Sequence, residues 1–146
     1  PIPSRGLGDV YKRQPLHPRT LKMKEALLDK VIQEKLDQSP YIKIIPPASF
    51  LDMIALEKKS TLIITDSGGV QKEAYFFQKP CVILRPQTEW VEITRAKCAT
   101  IVDTDQDKIL YAVDHFMKAE NLNFPPVFGD GKAAEFILEE MLNQFG

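Results

Sequence analysis

Short apolar runs alternate along the chain with segments in which apolar residues recur at helical spacing. The apolar runs predict buried strands at residues 41–45, 61–65, 81–84 and 99–102. The helical spacing predicts a first helix from Thr20 to about Leu36. It also predicts helices that begin near Ser49, Gly68, Thr88 and Asp105, and a last one that contains residues 136–142. Such alternation is typical of an α/β fold, in which helices cover both faces of a parallel sheet.

Residues 1–14 do not share this alternation. They show no clear apolar period, and the stretch RGLGDVYKRQ resembles translated sequencing-adaptor read-through. We therefore expect residues 1–14 to be a non-native or disordered segment, with a genuine flexible terminus as the alternative. Residues 15–146 are then expected to form an incomplete domain whose native chain begins further upstream.

The composition is that of an ordinary globular protein. Of the 146 residues, 44% are apolar and 27% are charged, and 19 basic and 20 acidic side chains leave a formal charge of −1. This balance gives no electrostatic attraction for nucleic acid or for an anionic membrane. No apolar run approaches the ~20 residues that a membrane span needs. Two cysteines, Cys81 and Cys98, make neither a disulfide framework nor a zinc site, so we expect a cytoplasmic protein without a metal.

The most informative stretch is TLIITDSGGVQKEA, residues 61–74, in which a buried strand runs into a glycine turn and then a helix. Gly68 and Gly69 allow the backbone to come close to a ligand, and the free amides of a helix N-terminus favour phosphate. Ser67 adds a hydroxyl donor or a helix cap. Glu73 lies one helical turn beyond Gly69, where a carboxylate suits the two hydroxyls of a ribose. A plain glycine turn followed by a surface glutamate is the alternative.

The second candidate stretch is LRPQTEWVE, residues 84–92, which follows the third predicted strand. Arg85 is placed at the same sheet edge as the glycine turn, and arginine suits phosphate and planar partners. Glu89 and Glu92 are either a general acid/base pair or, as is commoner, charges at a helix start and on a solvated face. We interpret Trp90 as a packing residue.

A third candidate precedes the first predicted helix. There, His17 and Arg19 are suited to contact a diphosphate, although the residues alone favour a structural role.

These motifs together resemble the C-terminal domain of the non-hydrolysing UDP-N-acetylglucosamine 2-epimerases. Four blocks occur in the family's order: HPRT at 17–20, TDSGGVQKEA at 65–74, LRPQTEWVE at 84–92 and FGDGKAAEFI at 128–137. The resemblance implies a glycosyltransferase-B-type fold of two Rossmann-like domains, with the active site between them. Residues 15–146 would then be the incomplete C-terminal, UDP-binding domain.

The resemblance also implies roles for single residues. Ser67, Gly68 and Gly69 would hold the diphosphate, and Glu73 would bind the ribose hydroxyls. Arg85 would line the nucleotide site.

Further implied contacts lie outside the glycine turn. His17 would face the nucleotide-sugar near the phosphates, and Phe50 and Met53 would lie on the uracil side. Met53 stands where family members often have an aromatic residue. Pro86 and Asp103 stand where Asp and Gly are usual.

The implied reaction interconverts UDP-N-acetylglucosamine and UDP-N-acetylmannosamine by elimination and re-addition of UDP. It requires no metal or nicotinamide, and it belongs to cell-surface polysaccharide biosynthesis. The catalytic acid/base residues are expected in the missing N-terminal part, and the full-length protein is expected to be a homodimer. This chain alone is expected to bind UDP weakly at best and to lack epimerase activity.

Other functions fit the same motifs. One is the donor-binding domain of a UDP-sugar glycosyltransferase with the same architecture. Another is a non-catalytic nucleotide-sugar sensor. A third is a family member acting on a modified sugar such as a diacetamido uronic acid.

Overall fold

The computed structural model describes residues 12–146, with side-chain surroundings from residue 15 onward. The segment 1–14 that we expect to be non-native or disordered therefore lies mostly outside the described residues, although Lys12 begins a strand. The chain divides into two compact units, one that ends at Ile54 and one formed by residues 55–146. Among the described residues, no helix is both long enough and apolar enough to cross a membrane.

The first unit contains a sheet of two parallel strands. In it β1 (Lys12–Pro15) pairs with β2 (Ile42–Ile45), so that Pro15 lies opposite Ile45. The crossover between these strands contains α1 (Pro18–Leu27) and α2 (Lys30–Gln38). Parallel strands need such a crossover because the chain must return to the same end of the sheet. The strand predicted at residues 41–45 is confirmed.

The single helix predicted from Thr20 to about Leu36 is wrong, because two helices occupy this region. Helix α1 begins at Pro18 and is capped by His17, not by Thr20: the ring nitrogen Nδ1 of His17 accepts from the amide of Arg19. Leu28 then adopts an extended conformation, and Asp29 caps α2 with a 2.7 Å hydrogen bond from the amide of Val31. Aspartate is a strong N-cap residue and a weak one inside a helix, which explains the break.

The second unit contains a three-stranded parallel sheet in the order β3 (Ile63–Thr65), β4 (Cys81–Ile83), β5 (Ala99–Ile101). Its strands confirm the runs predicted from the sequence, each one or two residues shorter than predicted. Helix α3 (Phe50–Lys59) spans the boundary between the two units. The second unit also contains α4 (Gly68–Phe76), α5 (Val91–Arg95), α6 (Gln106–Lys118) and α7 (Ala133–Phe145).

Helix α5 begins at Val91 and not at Thr88 as predicted. The Thr88 hydroxyl accepts a hydrogen bond from the amide of Trp90, which closes a turn in place of a first helical turn. Asp105 caps α6 as predicted, its carboxylate accepting from the amide of Lys108. Asp103 has a φ of +53°, in the left-handed region. Glycine adopts that region most easily, and aspartate tolerates it. Asp103 is therefore compatible with a position at which Gly is usual.

The core of the second unit lies on both faces of β4. Cys81 and Ile83 point to one face, where they pack with Tyr75 and Ile93. Val82 points to the other face, where it packs with Phe116 of α6. All three strand residues are buried, as expected of a strand covered on both faces. Burial of such side chains stabilises the fold by about 1.5–3 kcal/mol each.

Candidate functional site

The carboxyl ends of β3 and β4 lie side by side. Thr65 pairs with Ile83 in the parallel register, and the amide of Leu84 donates to the Thr65 carbonyl at 2.9 Å. The turn that begins at Asp66 and the loop that contains Arg85 therefore leave the sheet at the same edge. This is the edge at which ligands bind in open α/β sheets.

Ser67 is the N-cap of α4. Its backbone is extended, its hydroxyl accepts from the amide of Val70 at 3.4 Å, and its own amide donates to the Thr65 hydroxyl at 3.0 Å. Serine is favoured at this position because its hydroxyl oxygen accepts from a backbone amide that has no partner within the first turn of the helix.

The amides of Gly68 and Gly69 donate to no protein acceptor within the part of the chain that the structure describes. They are the first two donors of α4, where the helix dipole adds partial positive charge. Two free amides at this end of a helix are suited to bind an anion.

The two glycines of the turn have different surroundings. A Cβ at Gly68 would lie 3.0 Å from Oε1 of Glu89 and 3.6 Å from the indole nitrogen of Trp90, so neighbouring side chains already fill this space. A Cβ at Gly69 would meet only the Ser67 hydroxyl, at 3.9 Å. Packing within the protein therefore explains the glycine at position 68 but not the one at 69. The space beside Gly69 is available to a ligand.

The segment after β4 supports this turn through two side chains. The indole Nε1 of Trp90 donates to the Gly68 carbonyl at 2.8 Å, and the Thr88 hydroxyl contacts Oε1 of the buried Gln71 at 2.6 Å. The interpretation of Trp90 as a packing residue is confirmed by its edge-on contact with Phe128, but it is incomplete. A part-buried indole N–H needs an acceptor. This requirement is the sequence signal that Trp90 also donates a hydrogen bond.

Arg85 lies at the predicted sheet edge, where its Nη1 donates to both carboxylate oxygens of Glu89 at 2.9 and 3.0 Å. Its other guanidinium N–H groups have no acceptor among the described residues. The pKa of Glu89 is lowered, first by a hydrogen bond from its own backbone amide and then by Arg85. A carboxylate that stays ionised is suited to hold Arg85 and is poorly suited to act as a general acid. The arrangement therefore favours a structural role for Glu89 over an acid/base role. Glu92 lies in the first turn of α5 and has one carboxylate oxygen buried without a hydrogen-bond partner among the described residues, so it does not lie on a solvated face.

Glu73 lies one turn along α4 from Gly69 and is half-buried. Its carboxyl group forms a side-chain contact with Glu57 of α3, which is only 3% exposed. Burial first, and then Glu73, raise the pKa of Glu57 to about 7. Glu57 is absent from the sequence-based candidates. The signal for it is an acidic residue at helical spacing from Met53 and Ile54, where an apolar residue is expected.

The remaining predicted site residues lie in the first unit. His17 is exposed, and because its Nδ1 accepts the capping hydrogen bond, the neutral ring has its proton on Nε2. Phe50 is 70% exposed at the first turn of α3, and Met53 is half-buried one turn later.

Outside the glycine turn, the described residues include few groups that are suited to metal binding or catalysis. Among the described residues, no group of three His, Cys, Asp or Glu side chains is placed to hold a metal ion. Cys81 and Cys98 are buried, and burial raises the pKa of the Cys81 thiol to about 12. Two shallow grooves of about 320 and 300 Å³ lie beside α6, lined in part by Tyr111, and neither includes the glycine turn.

Comparisons with known proteins agree on one family. A family model described as UDP-N-acetylglucosamine 2-epimerase matches residues 13–142. A UDP-N-acetylglucosamine 2-epimerase homolog from Methanococcus maripaludis is 42% identical over 130 residues, which are 88% of this chain and 35% of that protein. A UDP-2,3-diacetamido-2,3-dideoxy-D-glucuronate 2-epimerase from Pseudomonas aeruginosa is 38% identical, over 86% of this chain and 33% of that protein.

Solved structures that superpose on this chain belong to the same family. UDP-GlcNAc 2-epimerase from Methanocaldococcus jannaschii superposes with a TM-score of 0.81 and 34% identity, over 91% of this chain and 36% of that one. The same enzyme in complex with UDP-GlcNAc and UDP gives a TM-score of 0.75. The chain thus spans about a third of the length of these relatives. The predicted fold class is confirmed as an α/β part of a glycosyltransferase-B-type architecture.

Proposed function

The chain belongs to the UDP-N-acetylglucosamine 2-epimerase family, and on that premise we propose that it binds the UDP portion of a UDP-sugar at the start of α4. The main support is the pair of unpaired amides at Gly68 and Gly69, next to a Ser67 hydroxyl whose proton has no acceptor among the described residues. These donors match the oxygens of a diphosphate. The open space beside Gly69 allows those oxygens to approach the backbone.

Glu73 is the proposed partner of the ribose. A carboxylate accepts hydrogen bonds from two neighbouring hydroxyl groups, and Glu73 lies one turn from the amides that hold the diphosphate. Arg85 lies at the same sheet edge and has guanidinium donors that Glu89 does not use. We assign it to the nucleotide as well.

Three further residues are proposed to contact the nucleotide. His17 has Nε2–H as its available donor and is assigned to the region of the phosphates. Phe50 and Met53 are assigned to the uracil side. Phe50 is exposed. Met53 stands where family members often have an aromatic residue, and it offers the uracil apolar packing in place of ring stacking.

The complete protein is proposed to be an isomerase that interconverts UDP-N-acetylglucosamine and UDP-N-acetylmannosamine. A base removes the proton on C2 while UDP leaves, which gives a glycal. UDP then adds back to C1 as C2 is reprotonated on the other face. Negative charge grows on the departing UDP oxygen. The amides of Gly68 and Gly69 stabilise that charge, so the diphosphate site contributes to catalysis as well as to binding.

The acid and base are proposed to lie in the part of family proteins that this chain does not span. We further propose that the complete protein is a cytoplasmic homodimer that supplies sugars for cell-surface polysaccharides. The Pseudomonas aeruginosa relative, similar at 38% identity, favours a second candidate substrate, a UDP-diacetamido-glucuronate. The nucleotide contacts are the same for both sugars.

Calorimetric titration of the chain with UDP, UMP and uridine tests the binding proposal. Binding in the order UDP, UMP, uridine is expected, because each lost phosphate removes oxygens that accept hydrogen bonds from the turn amides. Equal binding of all three, or none, would contradict a diphosphate site. For the complete protein, C2 proton exchange in deuterated water together with UDP release would distinguish an epimerase from a nucleotide-sugar sensor.

A further inference from the structure

Glu57 is a buried acid without a hydrogen-bond partner of its own. It lies on α3, it is 3% exposed, and neither carboxyl oxygen contacts a donor within the described residues. An ionised carboxylate in such a place would be strongly destabilising. The side chain facing it is another acid, Glu73 of α4.

The basic groups nearby are directed elsewhere. Lys58, the next residue on α3, places its ammonium 5.2 Å from the ring centroid of Phe77. Lys72, which precedes Glu73 on α4, points its ammonium at Trp90 and Phe128, 4.5 and 4.9 Å from the ring centroids. Among the described residues, no ion pair includes Glu57 or Glu73. Two adjacent carboxyl groups without a cation are stabilised when they share one proton.

We propose that Glu57 is a positioning residue, whose protonated carboxyl donates a hydrogen bond to Glu73 and so orients the carboxylate that receives the ribose hydroxyls. This inference rests on the proposed function, because it assigns a purpose to the orientation of Glu73. One oxygen of Glu73 accepts the proton of Glu57, and the other remains available to the ligand. Glu57 itself does not touch the nucleotide.

The shared proton makes binding depend on pH. Burial and the neighbouring acid raise the pKa of Glu57 to about 7. Above that pH Glu57 loses its proton, so its hydrogen bond to Glu73 is lost and it repels the neighbouring carboxylate. Nucleotide affinity should therefore fall about five- to tenfold between pH 6 and pH 8.5, the effect of losing one typical hydrogen bond.

The proton itself is measured by carbon NMR of the glutamate carboxyl groups in the chain without nucleotide. One carboxyl of the pair is expected to titrate near pH 7 in the parent chain, and no step near pH 7 is expected in Glu57→Gln. A parent chain in which both carboxyl groups titrate near their ordinary values would overturn the inference. This readout does not depend on nucleotide binding.

The positioning role is measured with UDP-N-acetylglucosamine, whose phosphates are both esterified and do not titrate between pH 6 and pH 8.5. Gln and Met have similar lengths at position 57, but only Gln retains a donor. Glu57→Gln should keep the affinity of the parent at pH 6 and show no fall at pH 8.5. Glu57→Met should bind about five- to tenfold more weakly at both pH values.

Different results would overturn the positioning role of Glu57 and the proposed binding of the nucleotide. A flat pH profile in the parent with intact binding, or equal binding by Glu57→Gln and Glu57→Met, would overturn the inference alone. No binding by the parent at pH 6 would overturn the proposed function and, with it, the purpose assigned to Glu57. Glu120→Gln, an exposed change in the second unit, serves as the control and should follow the parent.

Discussion

The indole nitrogen of Trp90 donates a 2.8 Å hydrogen bond to the main-chain carbonyl of Gly68, across 22 residues of sequence. This contact ties the segment after β4 to the first turn of α4. The turn therefore keeps its shape before any ligand arrives, and its free amides point in a fixed direction. Fixed donors bind an anion more tightly than donors that must first be ordered.

Trp90→Phe tests the importance of this tie. Phenylalanine retains an aromatic ring against Phe128 but removes the donor to Gly68, so the free energy of unfolding should fall by about 1 kcal/mol. UDP affinity should fall a few-fold, because the amides lose their support. Urea unfolding and calorimetry measure the two effects. Tyr111→Phe, at a position 75% exposed on α6, is the control and should change neither. Parent-like values for Trp90→Phe in both assays would show that the tie is dispensable.

Gly69→Ala should separate binding from stability. The added Cβ meets no protein atom closer than 3.9 Å, and alanine reduces the entropy of the unfolded chain. The free energy of unfolding should therefore stay constant or rise by up to about 1 kcal/mol. UDP affinity should fall at least about tenfold, because the methyl group occupies the space proposed for the diphosphate and displaces a hydrogen bond to a charged group.

Gly131→Ala is the matched control, and its expected effects on stability and on UDP affinity are the opposite of those of Gly69→Ala. Gly131 has a φ of +83°, a conformation that strains any residue with a Cβ. This variant should lose about 1 kcal/mol of stability and keep its affinity for UDP. If Gly69→Ala binds UDP as the parent does, the space beside Gly69 is not the diphosphate site.

Glu73→Ala tests the ribose contact. Loss of charged hydrogen bonds to two hydroxyls should weaken UDP by about 1–3 kcal/mol. The parent should also prefer UDP to 2′-deoxy-UDP, since the deoxynucleotide lacks one of those hydroxyls, and Glu73→Ala should show no preference. Calorimetry with both nucleotides measures this. An unchanged affinity, or a preference that survives the substitution, would remove Glu73 from the site.

Stability should depend on pH through Glu57. Its pKa rises from 4.5 to about 7 on folding, so the folded chain binds this proton more tightly than the unfolded chain. The stabilisation is fully present below about pH 4.5 and is lost as the pH rises through about 7. The loss amounts to at most about 3 kcal/mol by pH 8. Urea unfolding of the parent and Glu57→Gln over this range isolates the effect. Parallel stability curves for the two chains would contradict it.

Local chemistry is enough to predict much of this fold. The apolar runs 61–65 and 81–84 are too short for helices and are surrounded by turn residues, so they identify β3 and β4 without further information. Ser67 and Asp105 are predicted as helix starts because their side chains cap amides within three residues of themselves. The parallel order of the strands follows from the helices between them.

Features that depend on distant contacts are not predicted. The hydrogen bond from Trp90 to Gly68 requires two segments to meet in space. The indole N–H indicates that an acceptor is needed, but the sequence does not indicate which one. Glu57 is an ordinary surface residue by type, and its importance comes from burial beside Glu73. The break between α1 and α2 at Leu28 and Asp29 depends on two local preferences of similar strength. Helical spacing continues through both residues, but the cap at Asp29 competes with it locally and prevails.

The most direct test of the account is an amide NMR titration of the 15N-labelled chain with UDP. The amide signals of Gly68 and Gly69 should shift most, in the direction that new hydrogen bonds to an anion produce, and Glu73 should respond at the same concentrations. Uridine should leave both glycine amides nearly unchanged. UDP binding that shifts residues around Tyr111 and His115 beside α6 while Gly68 and Gly69 stay in place would contradict the account.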